Sequence, residues 1–424
     1  MTFGQFGMKH PSLGGLVEAI MAKLSRQGLH YRFSKSAEAF MEKCLTFVFR
    51  QKVKHMEGIE ADLLKPFSRV QIFDSSSWDI SASLKDVFRG SGGSSSEANC
   101  KIHIGYEYKK GALSFYQITP GTISDRGFSK NINQQIKSQD LFLADLGYFS
   151  LKLFMEIDQK GAYFITRYSP HTALWSADDI KRIELEKILQ HVWGNIYCQE
   201  VIMGAEPKKQ VRCRLICLRV PEQVANERRR KLKRAAQKRR RTPSKTMLAM
   251  CDWILMITNI PEELLPAEKI YPFYRLRWQI ELLFKQCKSI LQIHKSATGK
   301  ENRLRCELYG KLIVAVLIHR LHGFLNAQFW NTKQRELSMD KFWKRLQERA
   351  FSFMRLLIKS TKQAMLYLYR EIECFIKNCF KLKQPSRLSS LEELQSPLKH
   401  LAFDDLKYVS ISSFDCYKHA LPAS

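Results

Sequence analysis

A mixed α/β body, interrupted by a β-rich basic insertion and closed by helices, is the fold that this 424-residue sequence predicts. Three observations carry it. Short β-branched and aromatic runs alternate with helical patterns through the first part of the chain. A cationic run then breaks into the middle. Finally, none of the thirteen prolines falls between Phe273 and Gln384, where Leu, Lys, Glu, Gln and Arg recur at helical spacing.

In chain order, Val70–Phe73, Lys101–Tyr108 and Leu113–Thr119 read as strands, the last two joined by the hairpin turn Lys109-Lys110-Gly111. A flexible glycine–serine loop, Gly90 to Ser96, separates the first strand from the hairpin. A helix is expected after Asp125, a strand at Leu141–Leu146, a helix near Tyr148–Ile157 and a strand at Ala162–Tyr168. The order is strand, strand, strand, helix, strand, helix, strand. A helix at Ala177–Val192 then leads to strands at Ile196–Met203 and Val211–Val220. Glu227–Lys245 follows with eleven Lys or Arg and one acidic residue, and Trp253–Thr258 is the next strand. Pro272 is expected to open a new helix, in the first turn where proline is tolerated.

Charge narrows the function. Lys and Arg number 69 against 41 Asp and Glu, a net +28 that points to a polyanion: nucleic acid first, an acidic membrane surface second. A generally basic composition is the bland alternative. An apolar fraction of 45% argues against a disordered chain. The longest uninterrupted apolar stretch within a helical segment, Leu312 to Ile318, falls short of the roughly 20 residues that a bilayer requires, so no membrane partner is expected. The first residues lack the basic start, apolar run and cleavage site of a signal peptide. Eleven cysteines at irregular spacing, with no CxxC, suggest reduced thiols, a cytosolic setting and no zinc site.

The chemistry centres on Tyr274–Lys288, YRLRWQIELLFKQCK. Read as one helix at about 100° per residue, it places Tyr274, Arg277, Glu281 and Lys288 on one stripe. Leu276, Ile280, Leu283, Phe284, Cys287 and Leu291 centre on a neighbouring face. An ordinary amphipathic helix with an Arg277–Glu281 pair is the competing reading.

The residues Tyr-x2-Arg-x3-Glu-x6-Lys resemble the YREK motif of DDE transposases from bacterial insertion sequences, most closely the family numbered four. Arg277-Trp278-Gln279-Ile280-Glu281 is similar to that family's RWxIE phrase, and Ile257 to Pro261 to its preceding strand. The resemblance runs from about Leu24, where a helix pair resembles the family's N-terminal helices, to His319. Two further carboxylates match by context. Asp74 begins Asp-Ser-Ser after Val70–Phe73, and Asp145 ends Leu141–Ala144 before Leu146-Gly147-Tyr148. Taken singly, each reads as a turn or helix cap. Asp62, Asp79, Asp125 and Asp140 lack a matching context.

The resemblance implies an RNase H-like core in which Asp74, Asp145 and Glu281 are catalytic and hold two Mg²⁺ ions, with Mn²⁺ as substitute. It implies that Tyr274, Arg277 and Lys288 contact DNA, the Arg by its fork and the Lys as a point charge. It also implies an insertion-domain tryptophan stacked on a flipped base, a role open to Trp253, which reads equally well as a core strand residue. Arg228, Arg229, Arg230, Arg239, Arg240 and Arg241 in the basic run are expected to track phosphates. The implied division is a helical N-terminal region (1–66), a first core part (67–168), a β-rich basic insertion (169–261), a second core part with the catalytic helix (262–328) and a helical C-terminal region (329–424). Expected partners are double-stranded DNA (terminal inverted repeats and target) and a second copy of the chain, in the bacterial cytoplasm at the nucleoid. End cleavage, a hairpin step and strand transfer are the implied reactions. A catalytically inactive DNA-binding descendant acting as repressor or competitor is the other reading.

Overall fold

The computed structural model describes residues 15–17, 24–51, 58–92, 96–178, 180–205, 210–296, 298–382 and 389–395. Part of the glycine–serine loop (93–95), the extreme N-terminal residues and most of the chain beyond 382 lie outside the described residues.

Helices α1 (Arg26–Tyr31) and α2 (Lys35–Arg50) come first. Ser25 and Ser34 cap them, accepting from Gly28 N–H at 3.0 Å and Ala37 N–H at 3.2 Å. Strand β1 (Arg69–Asp79) is longer than the apolar run predicts, because Asp74 to Asp79 continue the extended backbone. The hairpin β2 (Asn99–Glu107) and β3 (Ala112–Pro120) is antiparallel, as expected. Its turn needs Gly111, whose φ of 62° lies in the left-handed region. Next come α3 (Ser129–Gln135), β4 (Asp140–Ala144), α4 (Leu151–Gln159) and β5 (Tyr163–Arg167). The insertion region holds β6 (Leu174–Ser176), α5 (Leu185–Gln190), β7 (Ile196–Met203), β8 (Val211–Arg219), α6 (Glu222–Lys238), α7 (Lys245–Ala249) and β9 (Trp253–Thr258). The remaining helices are α8 (Ala267–Arg275), α9 (Trp278–Ser289), α10 (Glu301–Lys333), α11 (Met339–Lys359), α12 (Thr361–Asn378) and α13 (Ser390–Gln395).

Two expectations fail here. The helix expected over Ala177–Val192 shrinks to α5. Leu174–Ser176 pairs with β7 instead, and Trp175 Nε1 donates to Gly204 O at 2.8 Å, so tertiary pairing claims the start of that segment. The single helix expected from Pro272 through Lys288 is two. Pro272 lies inside α8, and the helix ends in tight i→i−3 bonds from Leu276 N–H to Phe273 O and from Arg277 N–H to Tyr274 O, both 3.0 Å. An interior proline removes a ladder hydrogen bond and weakens the turn around it. The stripe from Tyr274 to Lys288 is therefore not set by one uninterrupted helical period.

The chain forms two compact units. The first contains Met1–Glu60, Phe73–Ser124 and Gln279–Leu382. In it the β2–β3 hairpin and the outer part of β1 accompany α10, which packs against α2 and β3. Helix α10 is long and apolar enough by composition to cross a bilayer, which the uninterrupted-run test did not anticipate. However, 78% of that stretch is buried inside the protein, the position of a core helix.

The second unit contains Ala61–Ile72, Asp125–Trp278 and Lys383–Ser424. Its strands run in the order β1-β4-β5-β9-β8-β7-β6. The β1–β4 and β4–β5 pairs are parallel, whereas β5–β9, β9–β8, β8–β7 and β7–β6 are antiparallel. Strands of the basic insertion thus extend the same sheet that holds β4 and β5. Every residue of β4 is buried, as expected for a parallel strand covered on both faces. Its one charged member, Asp140, accepts from Arg69 Nε at 2.8 Å and Lys137 N–H at 2.7 Å.

Candidate active site

The parallel β1–β4 ladder ends at the Ile72–Leu143 pair, two residues in sequence before Asp74 and before Asp145. Asp74 sits within β1, not at its end, and its Oδ1 accepts from Ser75 N–H at 2.8 Å. Asp145 leaves β4 in an extended conformation (φ −80°, ψ 162°) and precedes one 3₁₀ turn, Leu146–Tyr148.

Around Asp145 the second unit builds a polar cluster. The Tyr274 hydroxyl donates to Asp145 Oδ1 at 3.2 Å and accepts from Arg167 Nε at 3.1 Å. Arg167, which ends β5, also reaches Asp145 Oδ1 at 3.4 Å. Guanidinium carbons of Arg167 and Arg277 stand 5.9 and 5.8 Å from the centre of the Tyr274 ring. Burial pushes the Asp145 carboxyl up. The Arg277 and Arg167 charges, the Leu146 N–H and the Tyr274 hydroxyl outweigh it, holding the group below its ordinary value. Burial raises the Tyr274 phenol, so it remains a protonated donor. Tyr274 and Arg277 therefore do share a site with Asp145, although a helix break separates them from the rest of the stripe.

Glu281 and Lys288 lie on α9 in the first unit, in its first and last turns, and both are half-buried. Those positions suit the helix dipole. Among the described residues no group of three His, Cys, Asp or Glu is placed to hold a metal ion. Asp145 is engaged by the Arg167 and Arg277 charges. Asp79 accepts from Asn99 Nδ2 at 2.9 Å and Asp62 pairs with Lys65 at 2.7 Å, both structural roles.

The basic run divides by face. Helix α6 buries Ala225, Leu232 and Ala236. Arg228 donates to Trp253 O at 3.0 Å and Arg229 pairs with Asp252, so both brace the start of β9. Arg230, Lys233, Arg234 and Lys238 are exposed, as are Arg239, Arg240 and Arg241 beyond the helix end. Trp253 is 4% exposed at the start of β9, with the Arg219 guanidinium 4.3 Å above its ring. Trp193, in contrast, is 99% exposed. Its neighbours Val192 and Gly194 are held through their carbonyls by Arg219, at 3.4 Å for Gly194 O. The sequence reading took Lys233, Arg234 and Lys238 only as part of the basic run and did not single out Arg167 or Trp193. A helical wheel over Glu222–Lys238 finds the three cations, whereas no local pattern marks Arg167.

The transposase DDE domain family matches residues 65–317. The chain is 31% identical to the transposase of insertion sequence element IS231C from Bacillus thuringiensis subsp. berliner, over 74% of this chain and 69% of that protein. It is 29% identical to the IS231B transposase from the same subspecies, over 84% and 77%. With the IS1151 transposase of Clostridium perfringens it shares 26% identity over 94% and 85%. The chain belongs to the transposase DDE domain family and is an insertion-sequence transposase.

Proposed function

We propose that this transposase cleaves the ends of its element and joins them to target DNA through Asp74, Asp145 and Glu281, and that its core is RNase H-like and of the kind numbered four among insertion sequences. The observation that carries the reading is the cluster of Tyr274, Arg167 and Arg277 around Asp145. The strand order β1-β4-β5 and the equal displacement of Asp74 and Asp145 beyond the Ile72–Leu143 pair support it. Domain limits follow as read from the sequence: N-terminal 1–66, core 67–168 and 262–328, insertion 169–261, C-terminal region 329–424.

The donor set suits a hard divalent cation, since it offers carboxylate oxygens and Asp145 is kept anionic by its neighbours. Two Mg²⁺ ions, replaceable by Mn²⁺, would be held by Asp74, Asp145 and Glu281 and would supply activation of the attacking oxygen and stabilisation of the leaving oxygen. The chain's own groups do the rest. Arg167 and Tyr274 fix the Asp145 carboxylate in orientation and charge. Arg277 and Lys288 grip phosphates near the cleavage point. The exposed cations of α6 track the DNA backbone. Trp193 presents the insertion's open aromatic face for an unpaired base, while Trp253 serves as packing unless Arg219 withdraws. Terminal repeats and target DNA are the substrates, a homodimer is the working unit, and the bacterial nucleoid is the place of action.

The test is strand cleavage on a labelled DNA carrying the element end. Glu281→Gln abolishes cleavage and transfer while end binding persists. Full cleavage by that variant in Mg²⁺ overturns the assignment.

A further inference from the structure

The turn that follows α9 is built around a buried ammonium. Lys311 of α10, 2% exposed, donates to Gln292 O at 2.9 Å and Lys295 O at 3.2 Å. Gln292 takes a left-handed conformation, φ 49°, which bends the chain so that both carbonyls meet the same ammonium. His294 stands between those two anchored residues. Its Nδ1 is buried without a hydrogen-bond partner among the described residues. Among the described residues, the charged groups that bear on His294 are cations: Lys295 from its own turn, Lys288 from α9 and Lys311 from α10. Glu307 on α10 is already taken by Ser296 and Arg303, both at 2.8 Å. Lys285 and Lys295 are exposed, so the cationic surface continues outward along α9.

Crowding cations around a half-buried imidazole costs free energy in the empty protein, and an anion brought to the same place recovers it. We propose that Lys288, His294 and Lys295 form a phosphate-contact subsite for the DNA backbone, with Lys311 as its internal brace. The proposal rests on the reading of Lys288 as a DNA contact and adds two residues to it. Burial and the three lysines hold the free imidazole below its ordinary pKa. A bound phosphate reverses that balance, so His294 takes up a proton as DNA binds.

The experiment is fluorescence anisotropy of a labelled random-sequence duplex with the full chain, across salt concentration and pH. Wild type binds about fivefold tighter at about pH 5.5 than at about pH 7.5, and His294→Gln loses most of that gain. His294→Lys, carrying a fixed charge, binds tightly at both values. Lys295→Gln lowers the slope of log K against log salt by about 0.9. Thermal melting of each variant separates folding defects from binding defects. A His294→Gln protein that melts normally and keeps the wild-type pH gain overturns the subsite, as does an unchanged salt slope in Lys295→Gln. Absence of duplex binding by wild type would instead overturn the underlying DNA reading.

Discussion

Tyr274 and Asp145, 129 residues apart in the chain, meet through one hydrogen bond: the phenol donates to Asp145 Oδ1 at 3.2 Å. The same oxygen of Tyr274 accepts from Arg167 Nε at 3.1 Å. The phenol therefore relays the cationic character of Arg167 to the carboxylate and fixes the direction of both side chains.

Removing that relay has a defined consequence. Tyr274→Phe takes away a donor that lowers the Asp145 pKa and leaves Arg167 Nε without its acceptor. The acid limb of the cleavage pH profile moves to higher pH, and the rate falls about tenfold, consistent with one charge-assisted hydrogen bond. A pH–rate series on end-labelled DNA reads both. An unshifted acid limb would show that the phenol does not tune Asp145.

The two arginine classes of α6 give opposite phenotypes. Converting exposed Arg230, Lys233, Arg234 and Lys238 to Gln lowers the salt slope of DNA binding by about 3 to 4 units and leaves melting unchanged. Arg228→Ala removes the donor to Trp253 O and lowers thermal stability, with little effect on the slope. Titrating binding against salt for both variants, alongside melting curves, distinguishes them.

Trp193 and Trp253 separate in the same way. Trp253→Ala opens a cavity in the sheet and costs about 3 kcal/mol of stability, measured by chemical unfolding. Trp193→Ala leaves stability intact and weakens binding of a duplex with an unpaired terminal base by about tenfold, the scale of one stacked base. Equal binding of paired and unpaired ends by wild type would remove Trp193 from that role.

Two buried histidines set an acid limit on the fold. Burial pushes His319 down to about 3, with His322 nearby adding to it, and pushes His322 down to about 4. His319 packs edge-on against Tyr106 and Trp343, and His322 Nε2 lies 3.2 Å from Leu337 O. Unfolded imidazoles bind protons below about pH 6.5, where the folded ones stay neutral. The unfolded state then binds more protons, so stability is full above about pH 6.5 and falls toward pH 4, by up to about 1.4 kcal/mol per unit for each imidazole. Urea unfolding across that range checks it, and His319→Leu flattens the dependence.

Much of this protein is legible along the chain because its signals are local. The hairpin turn at Gly111, the apolar run of β4 and strands β7 and β9 depend on neighbours within a few positions. The family resemblance, not local periodicity, is what joined Tyr274 and Arg277 to Asp145 in the sequence. Tertiary structure decided the rest. Pairing with β7 claimed Leu174–Ser176 from the helix expected there, and the break after α8 ended the single helical stripe, because periodicity assumes a rotation that an interior proline and a 3₁₀ turn do not preserve. Packing of α6 divided identical arginines into braces and a solvent face, and the burial that hides Trp253 leaves Trp193 in the open. Arg167 entered the site only because β5 lies beside β4, a relation between strands that no stretch of sequence contains.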